Sequence, residues 1–252
     1  MLDFSGQTIV ITGAAGGIGR ALVARFQELG ADIVACDRDA EGLASLPDVR
    51  PSVFDLTDRA AMGEAISAIL RDGPPPAAII SNAGITRAET MADVDDAAFD
   101  TELAQNLTGA ATLSRLFLPS LRKTGGAFVF VSSVNALAHY GNPAYSAAKA
   151  GLNAWMRAIA VEEGIHGIRA NAVIPGSVHT NAWTHRIENN PRVLESVREL
   201  YPLGRMVTPQ EVANAVAFLA SPLAGGITGT TLNVDGGISA GNLPFLKKIL
   251  EA

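Results

Sequence analysis

Short apolar runs that resemble strands alternate with longer helical patterns along the whole of this chain. Most of these runs are almost continuously apolar, as in strands that are covered on both faces of a sheet. Strands that alternate with helices favour right-handed βαβ units and a parallel sheet. The pattern therefore predicts an α/β protein with a doubly wound, parallel, seven-stranded sheet and helices on both faces. The predicted strands are Thr8–Thr12, Asp32–Cys36, Pro51–Phe54, Ala77–Ser81, Ala127–Ser132, Arg169–Ile174 and Thr230–Val234.

Length and composition fit one domain. Of the 252 residues, 48% are hydrophobic and 17% are charged, which is ample material for a continuous core. The densest cluster of turn residues, Gly73-Pro74-Pro75-Pro76, only separates a helix from the next strand, so we expect residues 1–252 to form a single domain. The net charge of −6 leaves no broad basic face for nucleic acid. The chain has no signal-peptide pattern and no apolar run of membrane-spanning length, so we expect a cytoplasmic protein.

The single cysteine limits the possible chemistry. Because Cys36 is alone, an internal disulfide and a site with several thiolate ligands are excluded. Cys36 ends an apolar run, where a buried and unreactive thiol is expected. His179 and His185 lie six residues apart, with no third nitrogen or carboxylate nearby to complete a metal site. We therefore assign no metal.

A glycine-rich turn, Thr12-Gly13-Ala14-Ala15-Gly16-Gly17-Ile18-Gly19, joins the first predicted strand to a helical pattern. Glycines allow a sharp turn and let a pyrophosphate approach the N–H groups at the start of the helix. A glycine cluster alone fits a flexible loop equally well, but Asp37 at the end of the second strand can bind the ribose of adenosine and repel a 2′-phosphate. Arg38 would stack on adenine or tolerate a phosphate, yet Ala15 stands where a second basic residue would help. The turn therefore predicts a dinucleotide site that prefers NAD to NADP.

A tyrosine and a lysine lie four residues apart at the start of another predicted helix. Asn142 is the expected N-cap and Pro143 the first helical residue. Tyr145 and Lys149 then share one helix face. A phenol needs about 4 kcal/mol of phenolate stabilisation to titrate near neutrality, and an ammonium at about 4–5 Å can supply roughly 3–4 kcal/mol. Such a pair is usually an ordinary helix-surface contact, but it is also suited to exchange a proton with an alcohol.

Six motifs in this order resemble those of the classical short-chain dehydrogenases/reductases, from Gly6 to about Gly237. The resemblance implies a Rossmann-type fold and hydride transfer between a nicotinamide cofactor and a carbonyl or alcohol carbon. The motifs are Thr12-Gly13-x-x-x-Gly17-Ile18-Gly19, Asn82-Ala83-Gly84, Gln105-Asn106-Leu107, Ser132-Ser133, Tyr145-x-x-x-Lys149 and Pro175-Gly176.

The same resemblance implies roles for individual residues. Tyr145 would be the catalytic acid/base, and Lys149 would also bond the nicotinamide ribose. Ser133 would stabilise the substrate oxygen, with Ser132 as the alternative. Asn106, expected in the middle of a helix, would hold a water that links Lys149 to solvent. The cofactor would be held by Gly13, Gly17, Ile18, Gly19, Asp37, Asp55, Leu56, Asn82, Ala83, Gly84, Tyr145, Lys149, Pro175, Gly176, Val178 and Thr180.

In this family a segment after the Pro-Gly motif closes over the substrate, here at about residues 177–203. The segment is polar, whereas a pocket for a steroid or a long acyl chain needs mainly apolar side chains. Its polar residues favour a sugar, a polyol or a hydroxy acid, although they also fit a solvated lid surface. The candidate substrate contacts are Asn135, His139, Tyr140, Trp183, His185 and Arg186.

The sequence therefore predicts an NAD(H)-dependent oxidoreductase for a small polar alcohol. One alternative is an NADPH-dependent reductase of 3-oxoacyl thioesters, to which the overall pattern is similar. Such an enzyme would need a basic patch for an acidic carrier, and the clearest basic pair, Arg122-Lys123, is too small to form one. Another is a cofactor-binding regulator without activity, in which the serine, tyrosine and lysine set is usually broken.

A homotetramer is also implied by the resemblance. Its contacts would be the last helix and strand, here Pro209–Ala220 and Thr230–Val234. The tail at residues 242–250 carries apolar side chains that a lone subunit would expose. We expect this tail to pack on a neighbouring subunit.

Overall fold

Seven parallel strands form one sheet in the order β3-β2-β1-β4-β5-β6-β7. The computed structural model describes residues 2–86 and 90–250, with backbone only for Asn181, Ala182, His185 and Arg186. The order runs outward in both directions from the neighbouring strands β1 and β4, which confirms the predicted doubly wound sheet. The strands are β1 (Thr8–Thr12), β2 (Asp32–Asp37), β3 (Val49–Val53), β4 (Ala78–Ser81), β5 (Gly126–Val131), β6 (Ile168–Pro175) and β7 (Thr231–Val234).

Helices cover both faces of this sheet. Ile9 and Val10 are neighbours in β1, but their side chains enter two different core clusters, as expected for successive residues of a strand. Phe26 and Val216 belong to one cluster, and Phe117 belongs to the other. The helices are α1 (Gly17–Glu28), α2 (Ala40–Ala44), α3 (Arg59–Asp72), α4 (Asp96–Leu103), α5 (Gly109–Thr124), α6 (Pro143–Glu162), α7 (Asn181–Asn189), α8 (Arg192–Leu200), α9 (Pro209–Ala220) and α10 (Leu243–Phe245).

Strand β1 has the predicted ends, and the ends of the other strands differ from the predicted ones by at most two residues. The largest difference is at β3, which begins at Val49 rather than Pro51. Pro51 is paired with Ala35 of β2, and β3 has no other neighbour in the sheet. A proline is tolerated there because an edge strand has one side without partners.

The start of α6 is formed as predicted. Asn142 is its N-cap, and the side chain of Asn142 accepts a hydrogen bond from the backbone N–H of Tyr145 at 2.9 Å. Pro143 is the first helical residue. The backbone of Asn142 is left-handed, with φ of 45°, a conformation that asparagine tolerates better than most residues. Tyr145 is thereby placed in the first turn.

The segment between β6 and α9 has a small core of its own. It carries α7 and α8, and the buried side chains of Val197, Tyr201 and Met206 pack together there. Trp183 packs against this cluster and is partly buried. In the described part of the chain, no helix is long and apolar enough to cross a membrane.

Candidate active site

Hydrogen bonds join the carboxyl ends of β1 and β4, where the strand order reverses. The Thr12 Oγ1 atom accepts from the backbone N–H groups of Asn82 at 3.0 Å and Ala83 at 3.1 Å. The side-chain amide of Asn82 donates to the carbonyls of Thr12 at 3.0 Å and Gly13 at 3.1 Å. In a doubly wound sheet this edge is where ligands bind. These four hydrogen bonds form a clamp, which sets the position of the glycine-rich turn relative to the centre of the sheet.

The turn itself has no room for side chains at three of its four glycines. Gly13 has a φ of 65°, and a Cβ atom placed on it would lie 2.7 Å from the Cα atom of Ala83. A Cβ atom on Gly17 would lie 2.8 Å from Thr180 Cγ2, and one on Gly19 would overlap the Gly13 carbonyl. The cradle is thus bare backbone at the start of α1, the arrangement that suits a diphosphate. These positions fit the dinucleotide predicted from the sequence.

A crevice of about 570 Å³ runs along this edge of the sheet. It also includes residues that the sequence analysis missed, such as Phe54, Ile85, Thr86 and Gln105. Phe54 directly follows strand β3, Ile85 and Thr86 follow the Asn82-Ala83-Gly84 motif, and Gln105 precedes Asn106. Their position next to a strand end or a motif is the only feature of the sequence that could have indicated them. The predicted cofactor residues that line this crevice are Gly13, Gly17, Ile18, Gly19, Asp37, Asp55, Leu56, Asn82, Ala83, Gly84 and Thr180.

Carboxylates organise the end of the crevice that lies at β2 and β3. Asp37 accepts hydrogen bonds from the N–H of Ala15 at 3.0 Å and of Asp39 at 3.1 Å. The guanidinium of Arg38 lies 3.4 Å from a carboxylate oxygen of Asp55. Hydrogen bonds from the Thr57 N–H and hydroxyl lower the pKa of Asp55. Asp37 therefore braces the glycine-rich turn while it lines the crevice.

The predicted tyrosine and lysine lie together in a second, smaller cavity of about 150 Å³. The Lys149 ammonium donates to the carbonyl of Val131 at 2.9 Å and lies 5.5 Å from the centre of the Tyr145 ring. Ser133 lines the same cavity as Tyr145 and lowers the pKa of the phenol. Both cavities are bordered by Asn82 and Gly84, so they adjoin. The other predicted residues that line the smaller cavity are Ile18, Ser132, Pro175, Gly176 and Val178.

Of the two candidate serines, Ser133 is the one that influences Tyr145, because its side chain lowers the pKa of the phenol. Ser133 Oγ also accepts from the backbone N–H of Asn135 at 3.2 Å. Ser132 lines the same cavity, and its buried hydroxyl has no hydrogen-bond partner among the described residues.

Burial is the largest cause of the pKa shifts of both the tyrosine and the lysine. It raises the pKa of Tyr145 to about 12, against the opposing hydrogen bond from Ser133, while the charge of Glu102 also raises it. Burial lowers the pKa of Lys149 to about 8, against the opposing charge of Glu102. We expected the ammonium to bring the phenol towards neutrality, but removal from water disfavours both charged forms more strongly. The ammonium is still protonated at neutral pH.

Asn106 is not inside a regular helix as expected. It lies in a π-helical turn, Ala104–Thr108, between α4 and α5. Its side-chain NH2 group donates to the carbonyl of Ile85 at 2.8 Å. A Cβ atom placed on Gly84 would lie 2.6 Å from Asn106 Oδ1 and 3.4 Å from Lys149 Nζ. The wider turn therefore brings the amide oxygen and the Lys149 ammonium to the same side of Gly84.

The candidate substrate residues have different surroundings. The Asn135 amide donates to the Gly141 carbonyl at 2.7 Å and to Ser146 Oγ at 3.1 Å, so this residue supports the Ser133 loop. His139 and Tyr140 are exposed on the same loop, and Trp183 packs on the small core described above. These four are not among the described residues that line the two cavities. The side chains of His185 and Arg186 lie outside the described part of the structure.

Two further observations concern the reactivity of the cysteine and the binding of metal ions. Cys36 is buried as predicted, and burial raises its pKa to about 12, so the thiol is unreactive. Among residues 2–86 and 90–250, no group of three or more histidine, cysteine, aspartate or glutamate side chains is arranged to hold a metal ion.

Comparisons with known proteins agree with this geometry. Residues 13–239 match a family model described as enoyl-(acyl carrier protein) reductase. A short-chain dehydrogenase/reductase from Burkholderia thailandensis superposes with a TM-score of 0.90 at 41% identity over 98% of each chain. L-fucose dehydrogenase of Bos taurus is 35% identical over 94% of this chain and 91% of its own. The 3-oxoacyl-[acyl-carrier-protein] reductase of Thermotoga maritima is 34% identical over 94% of this chain and 99% of its own.

The chain belongs to the short-chain dehydrogenase/reductase family. It is an oxidoreductase that acts on CH–OH groups, and the family uses a nicotinamide cofactor.

Replacing Gly13 by alanine tests the cradle. We expect Gly13→Ala to lower the free energy of unfolding by about 1–3 kcal/mol, because a positive φ disfavours a side chain and the new methyl meets backbone. It should also weaken NADH binding, measured by fluorescence titration.

The control is Gly63→Ala in the middle of α3, where a Cβ atom would meet nothing within 4 Å. This change should stabilise the protein by about 0.5–1 kcal/mol and leave NADH binding unaltered. If Gly13→Ala binds NADH as tightly as Gly63→Ala does, the proposed cradle is wrong.

Proposed function

We propose that this protein is an NAD(H)-dependent dehydrogenase that transfers hydride between nicotinamide and a secondary alcohol or carbonyl of a small polar molecule. A sugar, a polyol or a hydroxy acid is the substrate class. The observation that carries this proposal is the cavity of about 150 Å³ at Tyr145, which is bordered by Ser132 and Ser133. Its volume is below that of sites for drug-sized ligands. Similarity to L-fucose dehydrogenase of Bos taurus supports the same class.

Each of three residues that line the cavity has a different role in the proposed reaction. Tyr145 exchanges the proton of the substrate hydroxyl, and Ser133 donates a hydrogen bond to the substrate oxygen next to it. Lys149 holds a positive charge behind the phenol, which favours the phenolate. A nicotinamide held in the adjoining crevice would supply the hydride chemistry, and its oxidised form would add a second positive charge. That charge would offset part of the effect of burial, which keeps the pKa of Tyr145 high.

The proposed preference for NAD rests on Asp37. Its carboxylate lines the crevice at the point where a ribose diol would bind, and it is held in place by the N–H of Ala15. Two nearby arginines already have partners. Arg38 faces Asp55, and Arg20 donates to the Ala15 carbonyl at 2.9 Å and to Ser45 Oγ at 3.0 Å. Neither arginine is therefore arranged to receive a 2′-phosphate.

A reductase of 3-oxoacyl thioesters is the second candidate function. The specific support is the 34% identity with the Thermotoga maritima reductase over 99% of that protein. An acidic carrier would need a basic surface, and the Arg122-Lys123 pair offers little of one. The guanidinium of Arg122 is bound to Glu163 at 2.7 Å. A regulator without activity is disfavoured because Ser133, Tyr145 and Lys149 are all present and line one cavity.

The segment at about residues 177–203 is the proposed substrate insertion. It follows Gly176, which borders the smaller cavity, and it begins with Val178 on the lining of that cavity. Thr180, directly before α7, lies against Gly17 and lines the crevice. Movement of α7 and α8 over the cavity would therefore enclose cofactor and substrate together.

A homotetramer is the proposed assembly. Phe245, Leu246, Ile249 and Leu250 of the tail are 48–65% exposed in the single chain. Strand β7 pairs with β6 alone and leaves its other edge open. Both features favour burial against further copies of the chain. Multi-angle light scattering should report four subunits, and a stable monomer would contradict the assembly.

Turnover assays test the proposed function. Sugars, polyols, hydroxy acids and a 3-oxoacyl thioester are screened with NAD(H) and with NADP(H). We expect oxidation of a small polar alcohol with NAD, and a loss of kcat of about 10²–10⁴-fold in Tyr145→Phe, because the proton acceptor is removed. Thermal unfolding of the variant should match wild type. Preferred turnover of the thioester with NADPH would favour the second candidate, and equal rates in wild type and variant would contradict the role of Tyr145.

The pH dependence follows from the direction of the tyrosine shift. Because burial keeps Tyr145 protonated, the base that alcohol oxidation needs forms as the pH rises. The rate of oxidation should therefore increase from about pH 6 towards about pH 10, measured as kcat at saturating NAD. A flat profile over this range would mean that another group accepts the proton.

A further inference from the structure

A buried carboxylate lies behind the catalytic pair. Glu102 is in the last turn of α4, and it is only 2% exposed. A carboxylate at such depth is costly unless it is hydrogen-bonded. Its Oε2 atom accepts from the Asn106 side chain at 2.7 Å, and its Oε1 atom accepts from the Asn142 side chain at 3.2 Å. Glu102 therefore connects the π-helical turn with the N-cap of α6.

The carboxylate decides which way the amide of Asn106 faces. The Asn106 nitrogen lies near three acceptors, namely the carbonyls of Ile85 at 2.8 Å and Glu102 at 3.1 Å and the carboxylate of Glu102 at 2.7 Å. None of these groups can donate a hydrogen bond when the carboxylate is ionised. The NH2 group must face them, so Oδ1 faces the opposite side, close to Lys149. This buried oxygen has no hydrogen-bond partner among the described residues.

The same logic applies to Asn142. Its NH2 group donates to the Glu102 carboxylate at 3.2 Å and to Thr86 Oγ1 at 3.1 Å. With the NH2 group directed there, its carbonyl oxygen accepts from the Tyr145 N–H at 2.9 Å. One carboxylate thus orients two amides, one with its oxygen beside Gly84 near Lys149 and one capping the helix that carries Tyr145.

We propose that Glu102 is a positioning residue for this oxidoreductase, which selects the orientation of Asn106 and Asn142 and thereby places Lys149 and Tyr145. The proposal rests on the dehydrogenase function proposed above. It differs from a purely structural role, in which Glu102 would only join α4 to α6. A glutamine of the same size can still accept a hydrogen bond, but it can also donate one, so it no longer dictates the direction of either amide.

The charge of Glu102 also has a measurable effect on the lysine. Helix α4 packs on α6 and on the turn Ala104–Thr108, and that turn has no titratable side chain. On α6, the titratable groups that sense Glu102 are Tyr145 and Lys149. The carboxylate stabilises the ammonium and so opposes the lowering of the Lys149 pKa to about 8 by burial. Without that charge, Lys149 loses its proton at lower pH.

The test compares Glu102→Gln and Glu102→Asp in the full chain, with Glu163→Gln as the matched control. Glu163 is another buried carboxylate, bound by Arg122 far from the two cavities. We expect Glu102→Gln to lower kcat about tenfold with KM changed by less than about twofold, because the reacting groups are misplaced while substrate contacts remain. The Asp variant keeps the charge but cannot reach both amides, so kcat should fall as well. Glu163→Gln should affect thermal stability alone.

A double-variant experiment shows whether the effect passes through Asn106. In an Asn106→Ala background, adding Glu102→Gln should lower kcat by less than about threefold, since most of the positioning is already lost. If the losses multiply in full, Glu102 does not act through Asn106 and the proposal is overturned.

The protonation of Lys149 supplies a readout that needs no turnover. The chain has four lysines, so the Lys149 signal can be followed by NMR of lysine-labelled protein and identified with Lys149→Arg. Its midpoint should lie near pH 8 in wild type, near that value in Glu102→Asp, and at lower pH in Glu102→Gln.

An unchanged midpoint in Glu102→Gln, or full kcat in either Glu102 variant, overturns the proposal. If wild type turns over no substrate, the function proposed above fails, whereas the NMR midpoints still decide the role of Glu102. If Glu102→Gln does not fold, the kcat of Glu102→Asp decides it instead.

Discussion

The hydrogen bonds between Thr12 and the start of the Asn82-Ala83-Gly84 segment are the constraint on which the site depends. They close the carboxyl ends of β1 and β4 against each other at the place where the strand order reverses. A doubly wound sheet opens a crevice there because its connections leave in opposite directions. The clamp holds the glycine-rich turn on one side of that crevice and Gly84 on the other. Gly84 in turn lies against both Asn106 and Lys149, so the glycine-rich turn and the pair of Tyr145 and Lys149 share one support.

Burial is the second determinant of the chemistry. It keeps Tyr145 in its neutral form and makes Lys149 easier to deprotonate, which are the same effect acting on an acid and on a base. A site of this kind responds strongly to any charge brought near it. The carboxylate of Glu102 is one such charge within the chain, and the oxidised cofactor is another. The protonation of the pair is therefore set by groups around it rather than by the pair alone.

Much of the site could be predicted because its elements are local in sequence. The turn after β1 has its glycines at a strand-to-helix junction, and the Asn142-Pro143 pair indicates the residue at which α6 begins. Four-residue spacing puts Tyr145 and Lys149 on one face whatever the helix packs against. The π-helical turn at Asn106 was not predicted, because a change from a regular helix to a wider turn leaves no pattern of period or composition. The supporting role of Asn135 and the burial of Glu102 were also missed, since both depend on neighbours distant along the chain.

By itself, the sequence determined the order of strands and helices, the bare glycine cradle and the shared face of the tyrosine and lysine. These features follow from backbone sterics and from the periods of strand and helix, which act over a few residues. Only the tertiary structure decided which way the amides of Asn106 and Asn142 face and how far burial moves the pKa values of Tyr145 and Lys149. Amide orientation depends on which acceptors surround the nitrogen, and desolvation depends on how completely water is removed. Both are properties of the packed molecule, in which Glu102 of α4 meets residues of the π-helical turn and of α6.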